Sequence, residues 1–328
     1  MTRVARPAGA EEPIIQTRGL RRTFTSRRGA VEAVAGIDLE VEAGTIFGFL
    51  GPNGAGKTTT LRMLATLLPP TGGDARVAGC DLRSEPAGVR ERIGYVSQRG
   101  GSDVAVTGRR EIEFQARLYG MGAAAARART AELVTALQLE ECADRRCGTY
   151  SGGQRRRLDI ALGLVHRPQL LFLDEPTTGL DPQSRAHLWE EVRGLRDQGT
   201  SVFLTTHYLD EADQLCDQLT IIDHGRLVAA GTPTALKRQI AGDVITLGVG
   251  GDPAAALALL EPQPFVREAA AAADAVHCFV DHGETATPAL LRLLDGAGIE
   301  LRSLTLTRPS LDDVFLRQTG RRLRDEAV

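Results

Sequence analysis

TIFGFLGPNGAGKT, residues 45–58, frames the reading of the whole chain. Its first six residues form an apolar run, as expected of a buried strand. The next eight, Gly51, Pro52, Asn53, Gly54, Ala55, Gly56, Lys57 and Thr58, fit the pattern G-x-x-x-x-G-K-[ST]. Behind them Thr59, Thr60, Leu61, Arg62, Met63 and Leu64 read as the first turns of a helix. Strand, glycine loop and helix together are the context that makes this pattern a phosphate-binding loop rather than a glycine-rich turn that binds nothing. Glycines let the backbone turn its N–H groups inward, and the helix N-terminus adds partial positive charge. Lys57 then reaches the β- and γ-phosphates, and the Thr58 hydroxyl offers a ligand to Mg²⁺.

LLFLDEP, residues 170–176, supplies the carboxylates. Four apolar residues read as a buried parallel strand, and Asp174 and Glu175 leave its C-terminal end, where open α/β sheets place ligands. Asp174 is expected in the Mg²⁺ shell. Glu175 is expected to polarise an attacking water, because phosphoryl transfer needs both charge neutralisation and a positioned nucleophile. A solvated acidic cap before Pro176 is the alternative, and Lys57 upstream argues against it.

YSGGQRRRLD, residues 150–159, adds a second anion site. Ser151, Gly152, Gly153 and Gln154 open a helix with bare N–H groups and a hydroxyl. Two phosphate sites for one nucleotide imply a head-to-tail dimer, each copy capping the nucleotide of the other. An ordinary serine cap before a basic helix face is the alternative.

In this order and spacing, the three strings resemble the ATP-binding subunits of ABC transporters. The match spans about residues 14–235. The resemblance implies ATP and Mg²⁺ as cofactors, and further roles for matching residues. Gln98 in IGYVSQ, residues 93–98, resembles the Q-loop glutamine that reaches metal and water. Asp181 in GLD, residues 179–181, resembles the D-loop that touches the opposite monomer. His207, after the apolar run at 201–206, resembles the switch histidine on the γ-phosphate. Phe24 resembles the aromatic that stacks on adenine, with a core phenylalanine as the alternative. The signature opens with Tyr150 where many relatives have leucine.

YSGGQRRRLD and the tail string SLDDVFLRQTG, residues 310–320, resemble the daunorubicin-resistance branch of drug exporters. That resemblance implies a separate membrane permease as partner and export of a hydrophobic drug or antibiotic. Exporters of lipid, polysaccharide or ions, a non-transport ATPase on nucleic acid or the ribosome, and a stand-alone regulatory ATPase are the alternatives. Paired cassettes, long coiled-coil insertions and zinc-binding cysteine pairs, usual in the non-transport class, are not found in the sequence.

Length and composition agree with this frame. A chain of 328 residues suits one large domain and a smaller one. Apolar residues make up 42% and aromatics only 4%, which implies an aliphatic core. A formal charge of −3 argues against a nucleic-acid binder. The arginines at 155–157 read as a solvated face, or one near phosphate or the membrane partner. No run approaches the ~18 apolar residues of a membrane span. The short, mixed-charge start shows no secretory h-region. Cys80, Cys142, Cys147, Cys216 and Cys278 are scattered, and read as reduced thiols without a zinc site. The expected location is the cytoplasmic face of the cell membrane, held peripherally by the permease.

The expected fold is α/β: a P-loop NTPase of the ABC cassette type, with a RecA-like core, an antiparallel β subdomain, a helical subdomain and a small C-terminal α+β domain. Residues 1–13 read as a flexible arm, 14–235 as the nucleotide-binding domain, about 99–150 as its helical subdomain, and 236–328 as a ferredoxin-like accessory domain. Alternation at 37–42 predicts an antiparallel strand with one wet face. Helices are expected at 110–118, 123–139 and 233–241. Residues 177–188, 200–206 and 219–228 are expected to complete the sheet and its helices. The permease should dock near residues 99–107, a segment without aromatics, through contacts shaped by backbone. Beyond residue 243 the pattern is strand 244–249, helix 253–260, strands 266–271 and 275–280, helix 287–294 and strand 299–306, a βαββαβ order. His277 and His282 read as structural or exposed.

Overall fold

The computed structural model describes residues 12–26, 29–238, 242–250, 252–272, 275–307, 310–312 and 314–315. They divide into two compact units, Met1–Ala230 and Gly231–Val328. The expected arm falls largely on residues 1–11, outside the described residues.

The first unit begins with a sheet built from β1 (Ile15–Ser26), β2 (Gly29–Ile37) and β3 (Glu40–Val41). The segment 37–42 is not one strand. Ile37 ends β2 opposite Leu20 of β1, and Glu40 and Val41 form the separate strand β3 opposite Gln16 and Ile15. The alternation still reports burial correctly, with Ile37, Leu39 and Val41 inside and Asp38, Glu40 and Glu42 outside. After β4 (Ile46–Leu50) and α1 (Lys57–Leu64), β5 (Gly72–Val77) and β6 (Cys80–Asp81) complete this antiparallel layer, in the order β2-β1-β5-β6 with β3 beside β1.

The central sheet follows. It uses β4, β7 (Ile93–Val96, after α2, Pro86–Arg92), β8 (Leu170–Asp174), β9 (Ser201–Thr206), β10 (Gln218–Asp223) and β11 (Arg226–Gly231). The order is β11-β10-β4-β9-β8-β7, parallel from β10 to β7. The expected single segment at 219–228 is two strands, because His224 and Gly225 both take positive φ and turn the chain. Every residue of β4, β8 and β9 is buried. Their core is not purely aliphatic. Phe203 stacks on Phe47 at 5.4 Å and meets Phe172 edge-on at 5.6 Å. The register sets these three rings side by side across the strands, and Phe49 joins them at 5.5 Å. Such pairs add about 0.5–1.5 kcal/mol each beyond area burial, so few aromatics do much here by being concentrated.

Between β7 and β8 lie α3 (Gly108–Leu118), α4 (Ala123–Ala136) and α5 (Gly152–Leu164). Thr107 caps α3, and α4 stops before the expected 139 because Leu137 leaves helical geometry and Gln138 takes positive φ. Residues 177–181 are not helical. α6 (Pro182–Asp197) starts where Asp181 accepts the Ser184 N–H at 2.9 Å, with proline in the first turn, where its missing N–H costs nothing. α7 (Leu209–Leu215) lies between β9 and β10.

The second unit holds α8 (Pro233–Arg238), β12 (Asp243–Val249), α9 (Pro253–Leu260), β13 (Val266–Ala272), β14 (Ala275–Val280), α10 (Gly283–Gly296) and β15 (Leu301–Thr307). Its four-stranded sheet runs β13-β14-β12-β15, with every pair antiparallel. Alternate residues Ile245, Leu247 and Val249 of β12 and Val276, Cys278 and Val280 of β14 turn inward, onto Leu260 of α9 and Leu290 and Leu294 of α10. α10 begins four residues before the expected 287 and runs through Pro288, because Asp243 Oδ2 takes the Gly283 N–H at 2.6 Å and starts the helix there. His277 faces the Thr246 hydroxyl at 3.0 Å, and His282 precedes α10. Of the tail string at 310–320, Leu311, Val314 and Phe315 are buried, and Asp313 and residues 316–320 lie outside the described residues.

No helix among the described residues is long and apolar enough to cross a membrane.

Candidate functional site

Four parallel strands deliver the candidate groups to one edge. β4 runs into Gly51, β7 into Ser97 and Gln98, β8 into Glu175, and β9 into His207. The register pairs Leu50 with Thr206 and Asp174 with Thr205, so these strand ends are level.

The loop after β4 is shaped by glycine at two kinds of position. Gly54 and Gly56 take φ of 79° and 106°, which side chains with Cβ rarely adopt. Gly51 has ordinary φ but no room, since a Cβ there would lie 2.3 Å from the Ile222 carbonyl oxygen. α1 starts at Lys57 without a side-chain cap, which leaves its first N–H groups for a ligand. Lys57 is 4% exposed and donates to the carbonyls of Gly51 at 2.7 Å and Pro52 at 3.0 Å. Asn53 and Gly54 are exposed, Ala55 is buried, and Thr58 and Thr59 are half-buried.

Glu175 is the hub. Gln98 Nε2 donates to its Oε2 at 2.9 Å, and Thr178 Oγ1 to the same oxygen at 3.3 Å. Lys57 Nζ lies 3.4 Å from Oε1, and His207 Nδ1 lies 3.3 Å from Oε2. The His207 ring leans on Tyr208, with centroids 4.1 Å apart. Burial pushes the Glu175 carboxyl up, but the His207 contact and the Lys57 charge outweigh it and hold it below the ordinary carboxylate range. Glu175 also carries φ of 45°, rare for a residue with a side chain. Its own N–H is held by the Thr205 carbonyl at 3.1 Å and hydroxyl at 3.0 Å.

Asp174 is 1% exposed. Its Oδ1 accepts from Thr58 Oγ1 at 3.1 Å and Thr205 Oγ1 at 2.7 Å. Hydroxyl and carboxylate oxygens converging in this way are the hard donors that suit Mg²⁺. The residues present therefore fit a magnesium nucleotide: glycine backbone and Lys57 for phosphates, Thr58 and Asp174 for the metal.

The signature residues form a separate group. Ser151 and Gln154 make a capping box at the start of α5, Gln154 N–H to Ser151 Oγ at 3.2 Å and Ser151 N–H to Gln154 Oε1 at 3.1 Å. Gly152 and Gly153 pack against Leu180 and Ser184, so the signature abuts the start of α6. Asp181 spends both oxygens on Ser184. Phe24 is not a core residue. It is 41% exposed on β1, covered by the Arg22 guanidinium at 4.7 Å, and pairs with Val31 of β2. β2 in turn touches the phosphate loop, with the Ala33 carbonyl 2.5 Å from where a Gly56 Cβ would stand.

Residues 34–178 match the ABC transporter family, and residues 231–319 match the family described as ATP-binding protein DrrA1-3-like, C-terminal domain. The chain is 47% identical, over 93% of its length and 92% of the relative's, to the daunorubicin/doxorubicin resistance ATP-binding protein DrrA of Streptomyces peucetius. This chain belongs to the DrrA-type ATP-binding subunits of ABC transporters. As a member of that family it is an ATP-hydrolysing enzyme. Another relative, the Nod factor export ATP-binding protein I of Burkholderia orbicola, is 41% identical over 93% of the chain and 97% of its own length. The fold is shared with a solved dimeric ATP-binding cassette in a post-hydrolysis state bound to ADP and Pi, with TM-score 0.62 and 22% identity over 66% of the chain and 98% of that one.

In this DrrA-type chain, three participants were not foreseen from sequence. Thr205 links Asp174 to Glu175, and Thr178 touches Glu175. The third is Arg156, read with its neighbours as a solvated face or one near phosphate or the membrane partner, and only 6% exposed. The TTH run ending at His207 held a signal for Thr205, because inward residues of a buried strand end beside a carboxylate are natural partners for it. A cavity of about 400 Å³ lies beside Gln98's loop. Backbone alone does not shape it: Tyr95 and Tyr119 contribute aromatic walls, with Leu67, Gly100 and Gly101.

Proposed function

We propose that two copies of this chain close head to tail on two MgATP molecules and so drive a separate membrane permease that exports a hydrophobic drug or antibiotic. The observation that carries this reading is the convergence of Gln98, Lys57 and His207 on Glu175, beside Thr58 and Asp174. Phosphoryl transfer requires groups that position and neutralise rather than form covalent bonds. Lys57 and the N–H groups after Gly51 hold phosphate oxygens. Thr58, Asp174 and Gln98 hold Mg²⁺, which when bound neutralises charge developing on the phosphates. Glu175, kept ionised by its neighbours, orients and deprotonates water with His207 beside it. Ser151, Gly152, Gly153 and Gln154 of one copy, with Asp181 near them, close over the nucleotide of the other, and Phe24 stacks on adenine.

Support for a permease comes from membership of the ABC transporter family and from the surface at the end of α3. Phe114, Leu118 and Tyr119 are 61%, 65% and 43% exposed there, beside the tyrosine-walled cavity. An apolar patch of this kind next to Gln98 suits a docking partner whose movement reaches the site. The subunit would then sit peripherally on the cytoplasmic face of the membrane, residues 14–235 acting as the motor and 236–328 as an accessory domain. The second relative's name points to Nod factor export, so another exported substrate is the runner-up.

The test is affinity capture of tagged Glu175→Gln protein from native membranes with MgATP. Recovery of a multi-span permease is expected, and its pocket decides the substrate class. Recovery of ribosomes or nucleic acid instead would overturn the exporter reading.

A further inference from the structure

Arg156 is the middle member of three consecutive arginines on α5, and it points inward. Its Nη1 donates to the Ser97 carbonyl at 2.7 Å, and its Nη2 to the Asp174 carbonyl at 3.1 Å. Those two carbonyls belong to the residues immediately before Gln98 and Glu175. A single planar guanidinium therefore holds the backbone directly upstream of both side chains, which meet at 2.9 Å. Its charge is offset by Asp159, Asp174 and Glu211.

Three residues further along α5, Asp159 takes hold of the same loop beyond Gln98. It is 7% exposed, accepts the Gly101 N–H at 3.2 Å, and lies so close to Gly100 that a Cβ there would stand 2.5 Å from its carboxylate. Gln98 is thus bracketed, with Ser97 tied to Arg156 and Gly101 to Asp159. Both grips sit on the helix whose first turn is the signature, Arg156 two residues past Gln154. A guanidinium fork keeps two acceptors at fixed separation, which a lysine ammonium on its flexible stem does not.

We infer that Arg156 is a positioning residue: it sets Gln98 against Glu175 and ties that spacing to the signature end of α5, with Asp159 as the second grip. This rests on the reading that Gln98 and Glu175 serve hydrolysis. Movement of α5 then changes the Gln98–Glu175 spacing without any direct contact between signature and carboxylate in the same copy. The basic run is a strut inside the subunit as much as a surface.

The experiment compares Arg156→Lys and Arg156→Gln, made in the wild-type chain and in a Gln98→Ala chain. ATP turnover is read by phosphate release, and binding by titration with a fluorescent ATP analogue and Mg²⁺. In the wild-type background kcat should fall about 10–100-fold, as for other residues that orient catalytic groups, with binding unchanged within about twofold. In the Gln98→Ala background the further loss should shrink severalfold, since the side chain being positioned is gone. Equal losses in both backgrounds, or a loss confined to binding, would overturn the inference. Asp159→Asn, which keeps an acceptor for Gly101, covers the case in which an Arg156 variant fails to fold. It should lower kcat by a smaller factor with the same dependence on Gln98, and unchanged kcat would count against the bracket. Glu175→Gln is run in parallel. If that variant hydrolyses normally the site reading itself fails, whereas its failure beside fully active Arg156 variants sinks only this inference.

Discussion

Lys57 and Glu175, each more than nine-tenths buried, stand 3.4 Å apart between ammonium and carboxylate. A phosphate that reaches Lys57 competes with Glu175 for the same charge. Lys57→Met should weaken MgATP binding about 10–100-fold, the scale of losing a charged hydrogen bond. It should also change acid stability. A carboxyl held below its ordinary value of 4.5 stabilises the fold above that pH and stops doing so as pH falls through its folded value. With Lys57 removed, burial opposes a weaker counterweight and the carboxyl rises. Urea midpoints from pH 3 to 7 should therefore depend on acid less steeply in this range for the variant than for the wild type. Identical slopes would show that Lys57 does not set the state of Glu175.

Thr205 is the quiet member of the site. Its hydroxyl donates to Asp174 and accepts from the Glu175 N–H, and it is fully buried. Thr205→Val keeps the shape and deletes both bonds. A loss of about 1–3 kcal/mol in urea unfolding is expected, together with a higher Mg²⁺ requirement for turnover, since Asp174 loses the partner that orients it. An unchanged Mg²⁺ titration would confine Thr205 to structure.

Two loop glycines should behave differently. At Gly51 an added methyl meets the Ile222 carbonyl in the neighbouring strand, so Gly51→Ala forces backbone apart and should cost about 2–3 kcal/mol. At Gly54 the space is open and only φ of 79° resists, so Gly54→Ala should cost about 1–2 kcal/mol. Thermal unfolding of the two variants tests this order, and a reversal would mean that the loop relaxes more easily than the sheet beneath it.

Away from the site, both carboxylate oxygens of Glu191 on α6 are buried without a hydrogen bond among the described residues, and Arg157 lies at 3.8 Å. Burial, opposed in part by Arg157, pushes its carboxyl up to about 7. A carboxyl raised on folding takes stability away as pH climbs from its unfolded value of 4.5 through 7. At pH 8 the cost is about 3 kcal/mol. Glu191→Gln should therefore raise the melting temperature by several degrees at pH 8 and by less at pH 5. A larger gain at pH 5 would reverse the sign and refute the assignment.

Legibility in the sequence followed local chemistry. Phe47, Phe172 and Phe203 sit in largely apolar runs that lead to Gly51, Asp174 and His207, so strand and site announced each other. The antiparallel layer was harder. β1 has bulges between Leu20 and Arg21 and between Arg22 and Thr23, which break the period-two pattern, and β2 is exposed from Gly29 to Glu32. Asp181, legible in the sequence through its likeness to the D-loop, is also the cap that starts α6. Arg156 was invisible because composition cannot tell which of three adjacent arginines faces inward. Only the helical turn of α5, placing residue 156 over the ends of β7 and β8, separates it from Arg155 and Arg157.

The row formed by Phe47, Phe203 and Phe172 reaches across β4, β9 and β8, and half-buried Tyr95 of β7, the edge strand, sits opposite Phe172 in register. Gly51, Glu175 and His207 leave strands that are stiffened side by side. Gln98 leaves β7, whose sheet partner is β8, on a loop clamped to α5. Mechanically, β4, β9 and β8, each paired on both sides, form an anvil, and β7, paired on one side alone, forms a compliant margin. Strain arriving through α5 deforms that margin first. Gln98 then travels while Gly51, Glu175 and His207 stay in register, which makes its distance to Glu175 a gauge of load on the subunit.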